Sequence, residues 1–367
     1  MPIRSLIFVD ANSIWHQKIA SALGDYLTVL AIQPINHFFF KAENVLSKNN
    51  GTKFYRVGML PGWASKTNFI ASEYLARRIR HLGKNSNGET AVVLTSSVYT
   101  SLAKLLEDHF PIVTYCADDY RSYSGWGSTE NIIRSESNLM NRSAANVFVS
   151  DALRNRAVEE YGLNVEKTIV SPNATDAEFL CEDLGGDIAE PPLELANLDR
   201  PIFGVLGAAS DRLDIEFLLR VAELNPTGTL LIAGPVPENV RIKYSALIEH
   251  PKVHICGPIP HSQMHRYARY FDIALIPYAK TEFNRLCSPL RLYDHLASGR
   301  PLFALNTCDQ VADMSRYGVT IGTPDEIVQK IQSHAQMITS PKQLLSSHEL
   351  LWKHRAHTLV ENLNSIL

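Results

Sequence analysis

The residues best placed to do chemistry lie between Cys287 and Pro301, where the sequence reads Cys-Ser-Pro-Leu-Arg-Leu-Tyr-Asp-His-Leu-Ala-Ser-Gly-Arg-Pro. This stretch predicts a short helix: Ser288 can cap the first turn, Pro289 suits the first helical position, and Gly299 marks the end. The start of such a helix presents unpaired N–H groups and the positive end of the helix dipole. We therefore expect an anion such as a diphosphate to bind there.

Two charged side chains follow on the same helix. Arg291, in the first turn, adds a fixed positive charge that can bind a phosphate through two parallel hydrogen bonds. Asp294 lies about one turn (~5 Å) from the anion-binding end, where the ribose hydroxyls of a nucleotide would lie. The alternative is a surface ion pair between the two side chains, worth roughly 0.3 kcal/mol.

The stretch from Ser288 to Pro301 resembles the signature (N/S)PLK(L/I)(Y/F)EYLA(A/S)G(K/R)PV of GT-B glycosyltransferases of the family-4-like group. Arg291 stands where this signature has Lys, and Asp294 stands where it has Glu, so both charges are kept. The resemblance implies a nucleotide-sugar donor whose diphosphate is bound by Ser288, Pro289, Leu290 and Arg291, with the ribose at Asp294.

Composition and charge exclude several other classes. With 367 residues, of which 45% are hydrophobic and 20% charged, the chain is long enough for two soluble domains of ordinary size. A net charge of -3 gives no overall attraction to nucleic acid. No apolar run approaches the roughly 18 residues of a membrane span, and the N-terminus does not resemble a signal peptide, so we expect a cytoplasmic protein.

The cysteines are odd in number and include no CxxC pair, which predicts neither a disulfide framework nor a thiolate metal site. They are Cys116, Cys181, Cys256, Cys287 and Cys308. This pattern fits a reducing compartment.

Short apolar runs alternate with helical segments in both halves of the chain, which predicts parallel sheets covered by helices on both faces. The segment 182–200 is acidic and rich in Gly and Pro, a composition typical of linkers. We therefore predict an α/β protein of GT-B architecture, with two Rossmann-like domains facing a cleft. The predicted parts are an N-terminal acceptor-side domain (1–181), the linker (182–200), a C-terminal nucleotide-sugar-binding domain (201–346) and, as the resemblance implies, a C-terminal helix that packs back on the N-terminal domain (347–367).

Other turns of the second domain also match donor-site motifs of these glycosyltransferases. Gly207 and Arg212 lie in a small-residue loop that follows a predicted strand, and the loop is similar to a G-x-x-G-A-x-S-x-x-x-D motif. Small residues let a backbone approach a phosphate closely. Gly257 and Ile259 lie in a strand-end turn whose main chain, by the resemblance, contacts the nucleotide base. Ordinary strand-end turns and a solvated arginine are the alternatives.

The sequence departs from the family pattern at two positions. Retaining members carry a Glu eight residues before the ribose-binding Glu, and Leu286 occupies that position here. Ala174 stands where a P-N-G-x-D turn has its glycine. The sequence therefore leaves the stereochemistry of transfer open.

On the acceptor side, Asp118 and Asp119 follow an apolar strand within a stretch that resembles the Y-x-x-D-D-(Y/W/F) motif of bacterial exopolysaccharide glycosyltransferases, including the xanthan glucuronosyltransferase. An inverting transferase needs a base to take a proton from the acceptor hydroxyl, and a carboxylate whose pKa is raised by burial and a like-charged neighbour can serve. Asp118 is the first choice and Asp119 the second. The alternative is that one carboxylate caps the next helix and the other is solvated.

His16, in the first strand-to-helix turn, is a rival base, since some plant and antibiotic GT-B enzymes use a histidine in that loop. A structural or exposed histidine is the alternative. Trp15 and Trp126 can stack on a sugar or can pack in a core.

The segment Tyr74 to Leu82 predicts a basic amphipathic helix, suited to an anionic membrane surface or a polyprenyl-diphosphate acceptor, or simply solvated.

Together these features predict a cytoplasmic glycosyltransferase, of hexosyl or glycuronosyl type, at the inner face of the cell membrane. It would act in bacterial polysaccharide synthesis and transfer a sugar from a UDP-sugar to a saccharide or a polyprenyl-linked acceptor. The resemblance implies no cofactor and no obligatory metal, because Arg291 and the helix start would neutralise the leaving group. A GT-B-fold sugar-nucleotide epimerase and a catalytically silent scaffold protein are the competing hypotheses.

Overall fold

The computed structural model describes residues 2–36, 42–45, 51–65, 67–83, 90–123, 128–180, 192–224, 227–333 and 348–367. These residues form two compact units. Unit 1 comprises Met1–Asn173 and Trp352–Leu367, and unit 2 comprises Ala174–Leu351. Each unit has its own sheet and its own hydrophobic core.

The sheet of unit 1 is made of strands β1 (Ser5–Val9), β2 (Thr28–Asn36), β3 (Ala42–Val45), β4 (Thr52–Met59), β5 (Thr90–Leu94), β6 (Ile112–Cys116), β7 (Ala145–Phe148) and β8 (Thr168–Val170). Their order is β3-β4-β2-β1-β5-β6-β7-β8, and neighbours pair in parallel except β3 with β4. Strands β1, β5 and β6 are buried throughout, which is why each is a nearly continuous apolar run in the sequence. The sequence does not predict β4, because exposed Lys53 and Arg56 interrupt its apolar pattern.

The helices between these strands are α1 (Ile14–Leu23), α2 (Asn68–Gly83), α3 (Thr100–Leu106), α4 (Thr129–Arg142) and α5 (Asp151–Tyr161). Serine side chains accept hydrogen bonds at the first turns of α1 and α5, at Ser13 and Ser150 respectively. The core joins side chains of β1, β5 and β6 to the buried faces of α2 and α3. Unit 1 therefore has the sheet and helix arrangement that the apolar runs predict.

The sheet of unit 2 is made of strands β9 (Ile202–Leu206), β10 (Thr229–Ala233), β11 (Val253–Ile255), β12 (Ile273–Ile276), β13 (Leu302–Leu305) and β14 (Thr320–Gly322). Their order is β11-β10-β9-β12-β13-β14, with parallel pairing throughout. The sequence predicts β9 to β13 and misses β14, which has three residues. The predicted α/β class with two Rossmann-like sheets is confirmed.

The helices of unit 2 are α6 (Ile215–Leu224), α7 (Ser245–Glu249), α8 (Met264–Tyr270), α9 (Glu282–Leu286), α10 (Leu290–Ala297), α11 (Asp309–Ala312) and α12 (Pro324–Ser333). Helix α10 is the one predicted between Cys287 and Pro301. It is buried from Leu292 to Ala297 and packs in the core of unit 2. The side chains in the first turn of α10 are therefore carried by a helix that the core holds in place.

The last helix, α13 (Trp352–Ile366), belongs to unit 1. Its Asn364 accepts a hydrogen bond of 2.7 Å from the backbone N–H of Ile3, and the Tyr26 hydroxyl donates to the Lys353 carbonyl at 3.3 Å. The buried side chains of α13 pack beside α1. The end of the chain is thus part of the same unit as its beginning.

The predicted boundary at 182–200 differs from the structure at both of its ends. Unit 2 begins at Ala174, because Phe179 lies in the unit 2 core and Arg269 donates hydrogen bonds to two backbone carbonyls of the segment before Cys181. Leu195, inside the predicted linker, is fully buried in the same core. Burial of these apolar side chains ties both segments to unit 2, whereas residues 181–191 lie outside the described ranges.

Candidate functional site

The candidate site of unit 2, called here the unit 2 site, comprises Gly207, Arg212, Arg291 and Asp294. Strands β9 and β12 are neighbours, and the chain runs from β9 to β10 on one side and from β12 to β13 on the other, so the strand order reverses between them. Open α/β sheets bind ligands at such a point. The loop after β9 carries Gly207 and Arg212, and the loop after β12 leads through α9 to α10, which carries Arg291 and Asp294.

Glycines allow the loop after β9 to pass close to the loop after β10. Gly207 has a φ of 87°, a left-handed conformation that favours glycine, and its N–H donates to the Ala233 carbonyl at 3.0 Å. A Cβ atom on Gly234 would lie 2.4 Å from the Gly207 carbonyl oxygen. A Cβ atom on Gly207 would lie 3.6 Å from Nη2 of Arg291. The backbone at Gly207 is therefore brought beside the Arg291 guanidinium.

Two guanidinium groups meet at the ring of Tyr278, which follows β12. The Cζ atom of Arg212 lies 4.8 Å from the ring centroid and that of Arg291 lies 5.4 Å from it. Arg212 also lies 4.6 Å from the ring of Phe283. Stacking on an aromatic ring holds the face of a guanidinium in place, and the N–H groups, which lie in the plane of the guanidinium, can still donate hydrogen bonds. The arrangement concentrates positive charge where the sequence predicts a diphosphate.

Hydrogen bonds orient both arginines. The Nε of Arg212 donates to Oδ1 of Asn284 at 2.9 Å, and the buried Asn284 amide donates in turn to the Arg212 carbonyl at 2.9 Å. Arg291 donates from Nη2 to the Ala208 carbonyl at 3.2 Å. The Nη1 atom of Arg291 is buried and has no hydrogen-bond partner among the described residues. A buried, charged donor without a partner is costly, and an anionic ligand would satisfy it.

The start of α10 corrects one detail of the sequence interpretation. The N-cap residue is Pro289 and the helix begins at Leu290, so Ser288 lies one residue outside the cap and Pro289 is not the first helical residue. Ser288 and Pro289 are buried. The N–H groups of the first turn, including those of Leu290 and Arg291, still lie at the amino end of the helix and are available to an anion.

Asp294 is almost fully buried in the described structure. Its Oδ1 accepts a hydrogen bond of 2.6 Å from the Thr175 hydroxyl. This bond fixes the carboxylate on the face of α10 that also carries Arg291, three residues earlier. The two side chains do not form the surface ion pair that was the alternative, because Asp294 is paired with Thr175 and Arg291 reaches the loop after β9.

The turn after β11 contains the two remaining donor-side residues, Gly257 and Ile259. Gly257 has a φ of 75°, and nothing lies within 4 Å of where its Cβ would be. Ile259 is half-buried and packs against the unit 2 core. The backbone of this turn therefore has open space beside it at Gly257, as a base-contacting loop requires.

The two positions that depart from the family pattern are both buried. Leu286 is 1% exposed and ends α9, and Ala174 is 0% exposed. Leu286 supplies no carboxylate at that position.

Unit 1 carries the predicted acceptor-side carboxylates after β6. Asp118 is buried, and its two oxygens accept hydrogen bonds from the backbone N–H of Asp119 at 3.2 Å and from the Tyr123 hydroxyl at 2.6 Å. Tyr123 is partly exposed. The Asp118 carboxylate is thus oriented by two donors and lies next to a hydroxyl at the surface of the unit.

Asp119 has a different environment from the one the sequence suggests. Its carboxylate accepts hydrogen bonds of 2.8 Å from Arg156 and 2.6 Å from Ser122. Burial raises the pKa of Asp119, but these bonds and the charges of Arg156 and Arg121 outweigh it and hold the pKa below its usual range. A carboxylate with a lowered pKa is a weak base, so the expectation of a raised pKa is wrong for Asp119.

His16 is buried among aromatic rings. Its ring centroid lies 5.7 Å from that of Phe8 and 5.8 Å from that of Tyr115. Its Nδ1 lies 3.1 Å from the Asp10 carbonyl oxygen, which can only accept, so Nδ1 carries the proton. The other nitrogen, Nε2, is buried and has no hydrogen-bond partner among the residues that the structure describes. Trp15 lies beside the same ring, while Trp126 is outside the described residues.

Asp10, which directly follows β1, is a further candidate that none of the sequence motifs indicates. It has a φ of 71°, rare for a residue with a side chain, and its carboxylate accepts a hydrogen bond of 2.8 Å from Asn12. Burial raises the pKa of Asp10, and the hydrogen bond from Asn12 opposes this shift. The signal in the sequence is an acidic residue at the carboxyl end of the first buried strand, next to the point where the strand order reverses.

Two buried histidines give a pH-dependent prediction. Burial lowers the pKa of His16 to about 4, and burial together with Arg291 lowers that of His295 to about 3. Both are neutral in the folded protein, whereas the unfolded chain binds a proton below about pH 6.5. Stability is therefore fully present above pH 6.5 and is lost as the pH falls towards 4, by about 2 kcal/mol per histidine at pH 5.

This prediction is checked by urea unfolding of the wild type and of His295→Leu between pH 5 and 7. The imidazole of His295 is fully buried, and neither ring nitrogen is hydrogen-bonded to any described residue, so leucine should fill the site without breaking such a bond. The variant should lose less stability on acidification, by up to about 1.4 kcal/mol per pH unit. Equal pH slopes in the two proteins would contradict the assignment.

No helix among the described residues is long and apolar enough to cross a membrane. The described residues also contain no group of three or more His, Cys, Asp or Glu side chains arranged to hold a metal ion.

The architecture is that of the GT-B fold. Solved structures of this fold match nearly the whole chain at low sequence identity. Sucrose-phosphate synthase from Thermosynechococcus elongatus superimposes with a TM-score of 0.73 at 14% identity, covering 99% of both chains. An Escherichia coli trehalose-6-phosphate structure bound with UDP-2-fluoro glucose gives 0.73 at 11%, again over 99% of both chains. Anabaena Alr3699/HepE, in complex with UDP and glucose, gives 0.72 at 14%, over 99% of this chain and 100% of the other.

A curated relative is similar over part of the sequence. The putative teichuronic acid biosynthesis glycosyltransferase TuaH of Bacillus subtilis (strain 168) is 29% identical over 105 residues, which are 29% of this chain and 26% of that protein. The match thus spans about a quarter of the relative's length. No family model matches the chain.

Proposed function

We propose that this protein is a glycosyltransferase that moves a sugar from a nucleoside-diphosphate donor, a UDP-sugar, to a hydroxyl of a saccharide or lipid-linked saccharide. The observation that carries the proposal is the meeting of Arg212 and Arg291 at the Tyr278 ring, beside the Gly207 backbone and the start of α10. This arrangement suits the two phosphates of a nucleotide-sugar.

The comparisons support the proposal in two ways. The Bacillus subtilis relative is described as a putative glycosyltransferase, and several solved structures of the same fold contain UDP or a UDP-sugar analogue. Fold alone does not define a reaction, so the assignment rests on the unit 2 site.

The chemistry follows from charge development. When the bond between the sugar and the diphosphate breaks, negative charge grows on the leaving phosphate. Arg291, Arg212 and the N–H groups at the start of α10 would stabilise that charge without a metal ion. Asp294, held by Thr175, would bind the ribose hydroxyls. In the proposed reaction Asp118 accepts the proton of the acceptor hydroxyl.

The test is a calorimetric panel of UDP, GDP, ADP, dTDP and CMP with their common sugar conjugates. The proposal expects one nucleoside diphosphate to bind and its sugar conjugate to be consumed only when a saccharide or polyprenyl-linked acceptor is added. Turnover of a UDP-sugar without any acceptor would instead indicate the epimerase. Absence of binding at millimolar concentration would favour the silent scaffold.

We extend the proposal to polysaccharide synthesis at a membrane, on the basis of α2. This helix exposes Phe69 and Ile70, which are 69% and 53% exposed, and Arg77 lies on the same helical face. Apolar side chains beside a cation suit the surface of an anionic bilayer.

The double variant Phe69→Ser with Ile70→Ser should bind phosphatidylglycerol vesicles at least about tenfold more weakly, because insertion of each apolar side chain contributes on the order of 1.5 kcal/mol or more. Cosedimentation measures the effect. Val165→Ser is the matched control, since Val165 is a 57% exposed apolar residue elsewhere in unit 1. Equal sedimentation of the double variant and the control would count against membrane contact through α2.

A further inference from the structure

Two cysteines that are distant in the sequence lie side by side in unit 2. The Sγ atoms of Cys287 and Cys308 are 3.9 Å apart, and both side chains are almost fully buried. The Sγ of Cys308 also lies 3.4 Å from the Cys287 carbonyl oxygen. We propose that Cys287 and Cys308 form a dithiol modification site that a peroxide oxidises to a disulfide and a thiol reductant restores.

The surroundings of Cys308 make it the first thiol to react. It is one of the residues that line an open cavity of about 260 Å³, with Lys280, Thr281 and Asn306 among the others, so a small peroxide can come close to this residue. The hydrogen bond with Cys287, the backbone N–H groups at the start of α11 and the charge of Arg212 lower the pKa of Cys308, and together they outweigh burial, which raises it. A thiolate is the reactive form of cysteine.

The contrast between Cys308 and Cys256 supports the proposal that Cys308 is the first thiol to react. Burial raises the pKa of Cys256 to about 12, which keeps that thiol protonated and unreactive at neutral pH. Cys256 is only half-buried, so access alone does not determine which cysteine reacts.

The reaction balances with hydrogen peroxide as the oxidant. The Cys308 thiolate attacks one peroxide oxygen, the O–O bond breaks, and hydroxide leaves and takes up a proton to become water. Cys308 is now a sulfenic acid. The Cys287 sulfur then attacks the Cys308 sulfur, the S–S bond forms, the S–O bond breaks, and a second water leaves with the thiol proton. The protein loses two electrons and two protons.

A chain of contacts links the dithiol to the unit 2 site. The Cys287 thiol donates to the Asn284 carbonyl at 3.1 Å, and Asn284 orients Arg212. A disulfide has no S–H, so its formation removes the hydrogen bond from Cys287 to Asn284, and its sulfurs lie about 2.05 Å apart, closer than the two thiols do here. Oxidation therefore loosens the support of Arg212 and should lower the affinity for UDP. This consequence rests on the proposed function.

The first measurement is independent of the proposed function. The full chain is titrated with hydrogen peroxide and analysed by intact mass and peptide mapping. We expect a loss of about 2 Da and a Cys287–Cys308 linkage, both reversed by dithiothreitol. Cys287→Ser should leave a sulfenic acid on Cys308 that reacts with dimedone, whereas Cys256→Ser should behave as the wild type. A first disulfide between any other pair, or none, overturns the proposal.

The second measurement compares UDP binding by the reduced and oxidised protein. The oxidised form should bind UDP at least about fivefold more weakly, and saturating UDP should slow the oxidation, since such a coupling is reciprocal. If the reduced protein does not bind UDP, the proposed function fails while the mass measurement still tests the dithiol. Equal affinities in the two forms overturn the link to Arg212.

Discussion

Replacing Arg291 with alanine is expected to lower the affinity for UDP about 30- to 150-fold, because in the proposed site the guanidinium would supply charge-assisted hydrogen bonds to the diphosphate worth roughly 2–3 kcal/mol. The folded protein should lose little stability. Arg291 donates a hydrogen bond to the Ala208 carbonyl, and its buried Nη1 has no hydrogen-bond partner within the described part of the chain. Isothermal titration calorimetry and thermal unfolding measure the two effects separately.

Two further variants sharpen this experiment. Arg241→Ala is the matched control, since Arg241 is an exposed arginine of the same unit, and it should bind UDP as the wild type does. Arg291→Lys should recover only part of the affinity, because lysine keeps the charge but not the planar fork. Unchanged UDP affinity in Arg291→Ala would show that the diphosphate does not bind at the start of α10.

Replacing Asp118 with asparagine is expected to lower kcat by about 10²- to 10⁴-fold, the usual contribution of a positioned general base. Asparagine has nearly the same shape and keeps an oxygen that can accept from Tyr123, so the fold should persist. Donor affinity should not change, because in the proposed reaction the carboxylate acts on the acceptor and not on the donor. Initial rates at saturating donor, together with calorimetry of UDP, check both statements.

Asp10→Asn and Asp119→Asn are the informative comparisons. Asp119 is paired with Arg156 and Ser122, so its variant should lose stability in unit 1 as well as activity. If Asp10→Asn abolishes turnover while Asp118→Asn retains it, then the base is Asp10 and the assignment of Asp118 is wrong. A transferase in which neither change affects kcat would need a different proton acceptor.

The sequence alone was sufficient for the class of fold and for most of the strands. Strands buried on both faces, such as β1 and β6, are nearly continuous apolar runs, so they can be identified in the sequence without any tertiary information. Helix α10 was equally clear, since proline before it and glycine after it limit where a helix can begin and end. Local conformational preferences and burial determine these features, and both are properties of short segments.

The tertiary structure decided which side chains meet. Phe179 and Leu195 belong to unit 2 because they fill its core, which segment composition does not indicate. Asp119 has a lowered pKa because Arg156, from a helix further along the chain, donates to it. The meeting of Arg212 with Arg291 and the contact between Cys287 and Cys308 likewise depend on loops at the carboxyl edge of one sheet. Short-range patterns specify the elements, but the register and order of the strands determine which distant residues share a site, and no local pattern contains that information.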